Sequence, residues 1–522
     1  MASEGLSVLG DRAAHPVDHL GATRAPGARR RPVASTVVLL SVLSLGLAGA
    51  EATLKPLGYD ELFTVYLARL GPSELWAALR SGADLLPPLG YVLTGAVVRV
   101  FGEHSLVIRL PAILGFWLLG LGLFVFVTRR TSPLIGALAL LFPLAAPAQQ
   151  YAVQARPYGL VLGFAALALV AWRAVVERRS RCWSALGLTA ALIGATSSHY
   201  YGVLVGLPLA LGESIRSFER RQVDPLVWAA VAVGAAPLVA FRPLMSSAYA
   251  YAPHFWGLRH WSTIWATYVV QVRPVLLTLV AGAVVLAVLR RQRQASGTGS
   301  ESGSRWPAHE QAAVLGFLLL PVVAASLALA LGAGFATRYA LPVVIGVSVV
   351  FAGSMHEIVA GRTWAARLLA LALVGWILGN GLTQAARWQE ASRTARGAYP
   401  ALQASAIPAD LIVVTEPMAF LPLLYGAPDN LARRLVYLAD PDSALRAVGT
   451  DTLDRALGNL ARVAPVRVEP YRAFLQTHGA FFVWEPPGHF GWVRAALTRD
   501  GLPLEVRAQD EAGVLLRAVR RD

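Results

Sequence analysis

"LPPLGYVLTGAVVRVF", residues 86–101, is the stretch on which the fold turns. It is apolar enough to suggest a membrane span, yet Arg99 interrupts it and two prolines open it. If it crosses, every later segment changes sides; if it lies along the surface, none does. The basic runs decide between the two. They are "TRRT" (128–131), "RAVVERRSR" (173–181), "RSFERR" (216–221), "RRQRQ" (290–294) and "HEIVAGR" (356–362). A surface position for 86–101 puts all of them on the cytoplasmic side, as positively charged loops prefer, whereas a span would put them all outside. The stretch therefore reads as a surface segment. Residues 52–106 become one large outer loop, carrying short amphipathic helices near 60–69, 73–80 and 87–100.

The rest of the chain fits that frame. Of 522 residues 56% are hydrophobic and only 15% charged, too little charge to cover a soluble protein of this size. A net charge of +15 would suit nucleic acid, but the arginines sit in short runs between apolar segments, which argues for loops and against nucleic-acid binding. Eleven spans are expected, near 34–51, 107–128, 133–152, 157–173, 184–199, 200–215, 226–244, 273–289, 311–332, 339–355 and 365–384. A basic cytoplasmic tail (1–33) precedes the membrane module (34–385), in which 290–310 is a flexible inner loop containing "ASGTGSESGS" (295–304). "LAGAEA" at 47–52 looks like a signal-peptidase site, but the run before it is long, so a retained first helix is expected. From about residue 386 the composition is that of a soluble domain. "ADLIVVTEPMAFLPLLYG" and "LARRLVYLAD" read as strand, helix, strand, and "GAFFVWEP" and "GVLLRAV" as later strands. The expected fold is an α-helical polytopic membrane protein with an extracytoplasmic C-terminal α/β domain.

Candidate chemistry collects on the outer side. "GYDELF" (58–63) places Asp60 and Glu61 together in the first loop. The same face receives Arg156 and Tyr158 from "QARPYG", His199 and Tyr200 from "HYYG", and Arg338 and Tyr339 from "TRYALP". The aromatic stretch 246–261 also falls there. A carboxylate can take a proton from an attacking hydroxyl, and arginines can stabilise a departing phosphate while staying charged. Other features read as structural. Asp440-Pro441-Asp442 suits a helix cap, His356–Glu357 a solvated inner pair, "LGLG" (119–122) helix packing, and Cys182 a membrane-boundary residue. One cysteine allows no internal disulfide and no cysteine-rich metal site. A lipid or glycan transporter or flippase is the main rival reading, but transporters place ionisable residues near the membrane midplane and here they gather outside. A non-catalytic envelope scaffold is the third.

The order of the DE loop, "PPLGYVL", "RLPA", "QARPYG", "HYYG" and "TRYALP" resembles polyprenyl-phosphate-sugar-dependent GT-C glycosyltransferases, in particular the protein O-mannosyltransferase and aminoarabinose-transferase group. The resemblance covers about residues 34–385. It implies a GT-C fold and an inverting transfer from a lipid-phosphate sugar to a lipid, glycan or protein acceptor, at the outer face of the inner (plasma) membrane. By that resemblance Asp60 is the catalytic base, and Glu61 orients it or touches the acceptor. Arg156, Tyr158, His199, Tyr200, Arg338 and Tyr339 are then candidates for donor and phosphate contacts, with Arg338 the better phosphate ligand. Relatives often have Glu where Gln154 stands, and His where Leu86 stands. Some need a divalent metal, which the resemblance leaves open here although the sequence shows no convincing ligand set.

Overall fold

The computed structural model describes residues 30–255, 257, 260–295, 306–405, 410–488 and 491–519. Most of the basic tail and the 295–304 linker lie outside the described residues. The chain opens with α1 (Arg30–Leu54), followed by three short helices, α2 (Tyr59–Ala68), α3 (Pro72–Arg80) and α4 (Leu89–Phe101). Helices α5 (Ser105–Thr128), α6 (Pro133–Ala145), α7 (Tyr158–Val176), α8 (Arg181–Ser198) and α9 (Gly206–Arg220) form the next group. Then come α10 (Pro225–Ala235), α11 (Pro237–Ala240), α12 (Arg242–Tyr249), α13 (Ser262–Val272), α14 (Pro274–Ala295), α15 (Ala308–Leu331), α16 (Val343–Val359) and α17 (Thr363–Ser405).

All eleven expected spans are largely helical, but they are not equally regular. Among the described residues six helices are individually long and apolar enough to cross a membrane, or up to eight if each of two pairs, bent by 78° and 63°, counts as one span. The 78° bend lies between α6 and the 3-10 turn Pro147–Val153, next to Pro143 and Pro147, where proline removes backbone donors. The eleven-helix count therefore exceeds what length and composition support among the described residues. α4 has 13 residues and would reach only about 20 Å, short of a ~30 Å hydrocarbon layer. It packs on α2 and α5 and exposes Val92, Val100 and Phe101, as a helix lying at the surface should.

The bundle has two distinct faces. The basic runs meet at one of them through shared carboxylates. Glu310 binds Arg130 at 2.7 Å and Arg173 at 3.1 Å. Asp224 binds Arg181 at 2.8 Å and Arg216 at 2.7 Å. Arg291 pairs with Glu357, the expected inner acid. At their other ends α5, α7 and α15 reach the face that carries the first loop. α5 and α7 approach closely because glycines face each other: a Cβ on Gly159 would fall on the carbonyl of Ala112, and one on Gly163 on that of Gly115.

The C-terminal domain contains β1 (Ile412–Val414), α18 (Pro417–Gly426), α19 (Asp429–Ala432), β2 (Leu435–Ala439), α20 (Pro441–Val448), α21 (Thr452–Leu460) and β3 (Val468–Pro470). It is completed by α22 (Tyr471–Thr477), β4 (Ala480–Glu485), α23 (Val493–Arg499), β5 (Leu504–Asp510) and β6 (Gly513–Val519). The sheet order is β3-β2-β1-β4-β6-β5, parallel from β3 to β4 and antiparallel through β6 and β5. Continuous apolar runs such as Ile412–Val414 suit central parallel strands buried on both faces. Asp440 caps α20 by accepting from the Ser443 amide at 3.1 Å, the structural part expected of the Asp-Pro-Asp motif. The boundary expected at 386 falls inside α17, which continues as one helix to Ser405. The domain shares a core with the first loop: Tyr59, Leu62, Phe63 and Tyr66 pack with Phe420, Leu421 and Leu457.

Candidate active site

α2 begins at the site because its first turn caps itself. The Glu61 carboxylate accepts from the Gly58 amide at 3.1 Å, and Asp60 and Glu61 both favour the positive end of the helix. Glu61 is only 2% exposed. Its oxygens accept from Arg109 at 2.7 and 2.8 Å and from the Ala155 amide at 2.8 Å, with Lys55 at 3.7 Å. Burial pushes the Glu61 pKa up, but the Arg109 bonds and the Arg109 and Lys55 charges outweigh it and hold the carboxyl below its ordinary value. Arg109 also donates to the carbonyls of Ala52, in the last turn of α1, and of Lys55 and Pro56 just beyond it. Glu61 is thus enclosed and is not among the residues that line the cleft beside Asp60.

Asp60 points the other way, into a cleft of about 1520 Å³ that includes space open to solvent. All the other expected residues, Arg156, Tyr158, His199, Tyr200, Arg338 and Tyr339, line the same cleft. Arg338 stands 4.0 Å from the Asp60 carboxylate and donates from Nε to the Tyr158 hydroxyl at 2.7 Å. Its guanidinium lies 5.6 Å from the Tyr158 ring centre and 6.0 Å from that of Tyr339, which favours a charged, oriented cation.

His199 has two different ring nitrogens. Nδ1 accepts from the Tyr201 amide at 3.1 Å, so Nε2 carries the proton of the neutral ring, and this buried atom has no protein partner. The ring stays neutral because burial, with Arg338 and Arg156 nearby, lowers its pKa to about 3. A buried N–H without a partner is costly, and here it borders a cleft able to supply an acceptor. Tyr339 lies 4.7 Å from the His199 ring and stacks on Tyr201 at 5.0 Å, fixing the group.

Asp84 was not singled out from sequence. It binds Arg156 through both oxygens, at 2.6 and 3.2 Å, and Arg156 also donates to the backbone carbonyl of Asp60 at 3.1 Å. Burial raises the Asp84 pKa, but the Arg156 charge and hydrogen bonds prevail and keep the carboxyl below its usual range. Arg156 thus links the Asp84 carboxylate to the backbone at Asp60. The one available signal was the place of Asp84 immediately before "LLPPLGY". Gln154, where an acid was expected by resemblance, leaves its buried carbonyl oxygen unpartnered, and Leu86 contributes an apolar wall to the cleft. No group of three or more acids, histidines or cysteines able to hold a metal exists among the described residues.

The C-terminal domain closes part of the cleft. Thr452, Leu453 and Ala456 of α21 line it. Asn459 on the same helix donates to the Gly82 carbonyl at 3.2 Å and to the Tyr251 hydroxyl at 2.8 Å. From the aromatic segment, Tyr249, Tyr251 and Phe255 also line the cleft, while Trp256, Leu258 and Arg259 lie outside the described residues.

Residues 86–245 match the family model described as dolichyl-phosphate-mannose-protein mannosyltransferase. A search of curated proteins finds no match. Among solved structures, the chain resembles ArnT from Cupriavidus metallidurans in the apo state, with a TM-score of 0.56 and 13% identity over 93% of this chain and 98% of that one. The form of that protein bound to undecaprenyl phosphate gives a TM-score of 0.54 and 16% identity, over 94% and 98%. At these identities the likeness establishes the fold, and with the apolar helices it makes this a polytopic membrane protein.

Proposed function

We propose that this protein is an inverting glycosyltransferase that moves a sugar from a polyprenyl-phosphate donor to an acceptor hydroxyl outside the cytoplasmic membrane. The observation that carries this reading is the placement of Asp60 and Arg338, 4.0 Å apart, in one cleft bordered by membrane helices. The acceptor oxygen attacks the anomeric carbon from the face opposite the phosphate. As the new C–O bond forms, the bond from that carbon to the phosphate oxygen breaks, and its electron pair leaves with the phosphate. The acceptor proton passes to Asp60. Arg338 holds the leaving phosphate, and His199 Nε2–H donates to an oxygen of the donor. Glu61 with Arg109, and Asp84 with Arg156, set the helix and backbone that carry Asp60. One displacement inverts the anomeric centre.

The family-model match and the undecaprenyl-phosphate-bound ArnT structure support the lipid-phosphate donor class. The arginine-rich face of the bundle supports an outward-facing cleft through the preference of basic loops for the cytoplasm. The test is transfer in membranes supplied with labelled polyprenyl-phosphate sugar. Asp60→Asn should lower turnover about 10²–10⁴-fold while donor binding persists. Full activity in that variant would remove Asp60 as the base.

A further inference from the structure

The walls of the cleft differ in chemistry. Leu238, Met245, Leu327 and Leu331, from helices α11, α12 and α15, form one apolar wall. Thr452, Leu453 and Ala456 come from α21 in the soluble domain. They fall within about 100° of one another around α21, and Leu453 and Ala456 also pack on the domain core that holds Leu457 and Leu460. α21 is also held at fixed height: Asn459 grips Gly82 and Tyr251, and Asp451 meets His254 at 3.3 Å. A wall pinned at both ends can read shape.

The charges are arranged unevenly too. Among the described lining residues the charged side chains are Asp60, Asp84, Arg156 and Arg338. Asp84 and Arg156 neutralise each other through a bidentate pair. A donor phosphate at Arg338 then leaves Asp60 as the charge facing the incoming acceptor, and α21 contributes no cation to the lining. A second phosphate beside Asp60 would meet a like charge.

We infer that α21 is the acceptor-reading wall of the cleft, and that it selects an uncharged hydroxyl-bearing acceptor over a phosphorylated one. This rests on the transferase reading above. The acceptor hydroxyl lies between Asp60 and the Thr452–Ala456 face. It supplies the oxygen that bonds to the anomeric carbon, gives its proton to Asp60, and displaces the donor phosphate.

The test uses the full-length protein in membranes with labelled polyprenyl-phosphate sugar, an alkyl glycoside, and the same glycoside carrying a 6-phosphate. The neutral glycoside should be used about tenfold or more better. Ala456→Phe should raise KM for it about tenfold. Binding of undecaprenyl phosphate, measured separately, should stay unchanged. Ala456→Arg should narrow or reverse the preference by supplying the missing cation. Equal or better use of the phosphorylated glycoside by the unmodified protein would overturn the inference while leaving the transferase reading intact. So would a parallel loss of donor binding in Ala456→Phe. No transfer to either glycoside or to endogenous acceptors would instead sink the transferase reading.

Discussion

Replacing Arg109 with leucine would leave the Glu61 carboxylate buried without its principal counter-charge, and would strand the carbonyls of Ala52, Lys55 and Pro56. Loss of one partner from such a pair costs about 3–5 kcal/mol, so Arg109→Leu should lower the melting temperature in detergent by several degrees or more. An unchanged melting curve would mean the pair contributes little. Asp84→Asn is a finer probe, since it removes the charge opposing Arg156 but keeps the shape. Turnover should fall, with undecaprenyl phosphate binding largely retained, because the pair steadies the backbone at Asp60. The pH response of His199 follows from its lowered pKa. The folded protein keeps the ring neutral down to about pH 3, whereas the unfolded chain takes a proton near 6.5. The unfolded state therefore binds more protons between those values, and stability is fully present above about 6.5 and drains away as pH falls. His199→Gln should flatten the melting-temperature profile between pH 6.5 and 5. At this scale sequence gave access to Asp60 and Arg338, since each stands in a compact local motif. Asp84 was invisible because its meaning depends on Arg156, which only folding brings beside it.

The helices show a similar division. Apolar runs located the membrane elements well, because burial in lipid demands long uninterrupted hydrophobic stretches. Their ends were harder. The polar tail of α17, "QAARWQEASRTARGAY", reads as soluble chain by composition, yet it continues the same helix. β5 escaped notice because "LEVRAQD" is a largely exposed edge strand paired only with β6, with little apolar alternation. β3 has three residues and leaves no pattern at all. The α5–α7 contact also leaves little signal, since glycine within a span is unremarkable until its partner is known. Gly159→Leu would drive a large side chain into the Ala112 backbone. It should destabilise the protein by at least about 1–3 kcal/mol and displace Tyr158, next in the chain and hydrogen-bonded to Arg338. Thermal melting and donor binding should therefore worsen together.

For the molecule as a whole, the two-faced bundle predicts labelling from opposite sides. In a Cys182→Ala background, Glu74→Cys should react with an impermeant maleimide from outside intact cells, and Arg129→Cys only after permeabilisation. Reversed accessibility would invert the proposed orientation. The common core beneath the C-terminal domain has a further reach: it ties together segments made far apart in time. Glu61 leaves the ribosome well before Arg109, and Arg156 follows later still. Arg338 arrives when roughly two-thirds of the chain has been made, and α21 after that. Until α5 is made, Glu61 has Lys55 and the Gly58 amide as partners but not Arg109. No partly synthesised chain contains the whole site. On the transferase reading, a chain cut short before Arg338 and α21 lacks the groups proposed to hold the donor phosphate and read the acceptor, and should be inactive.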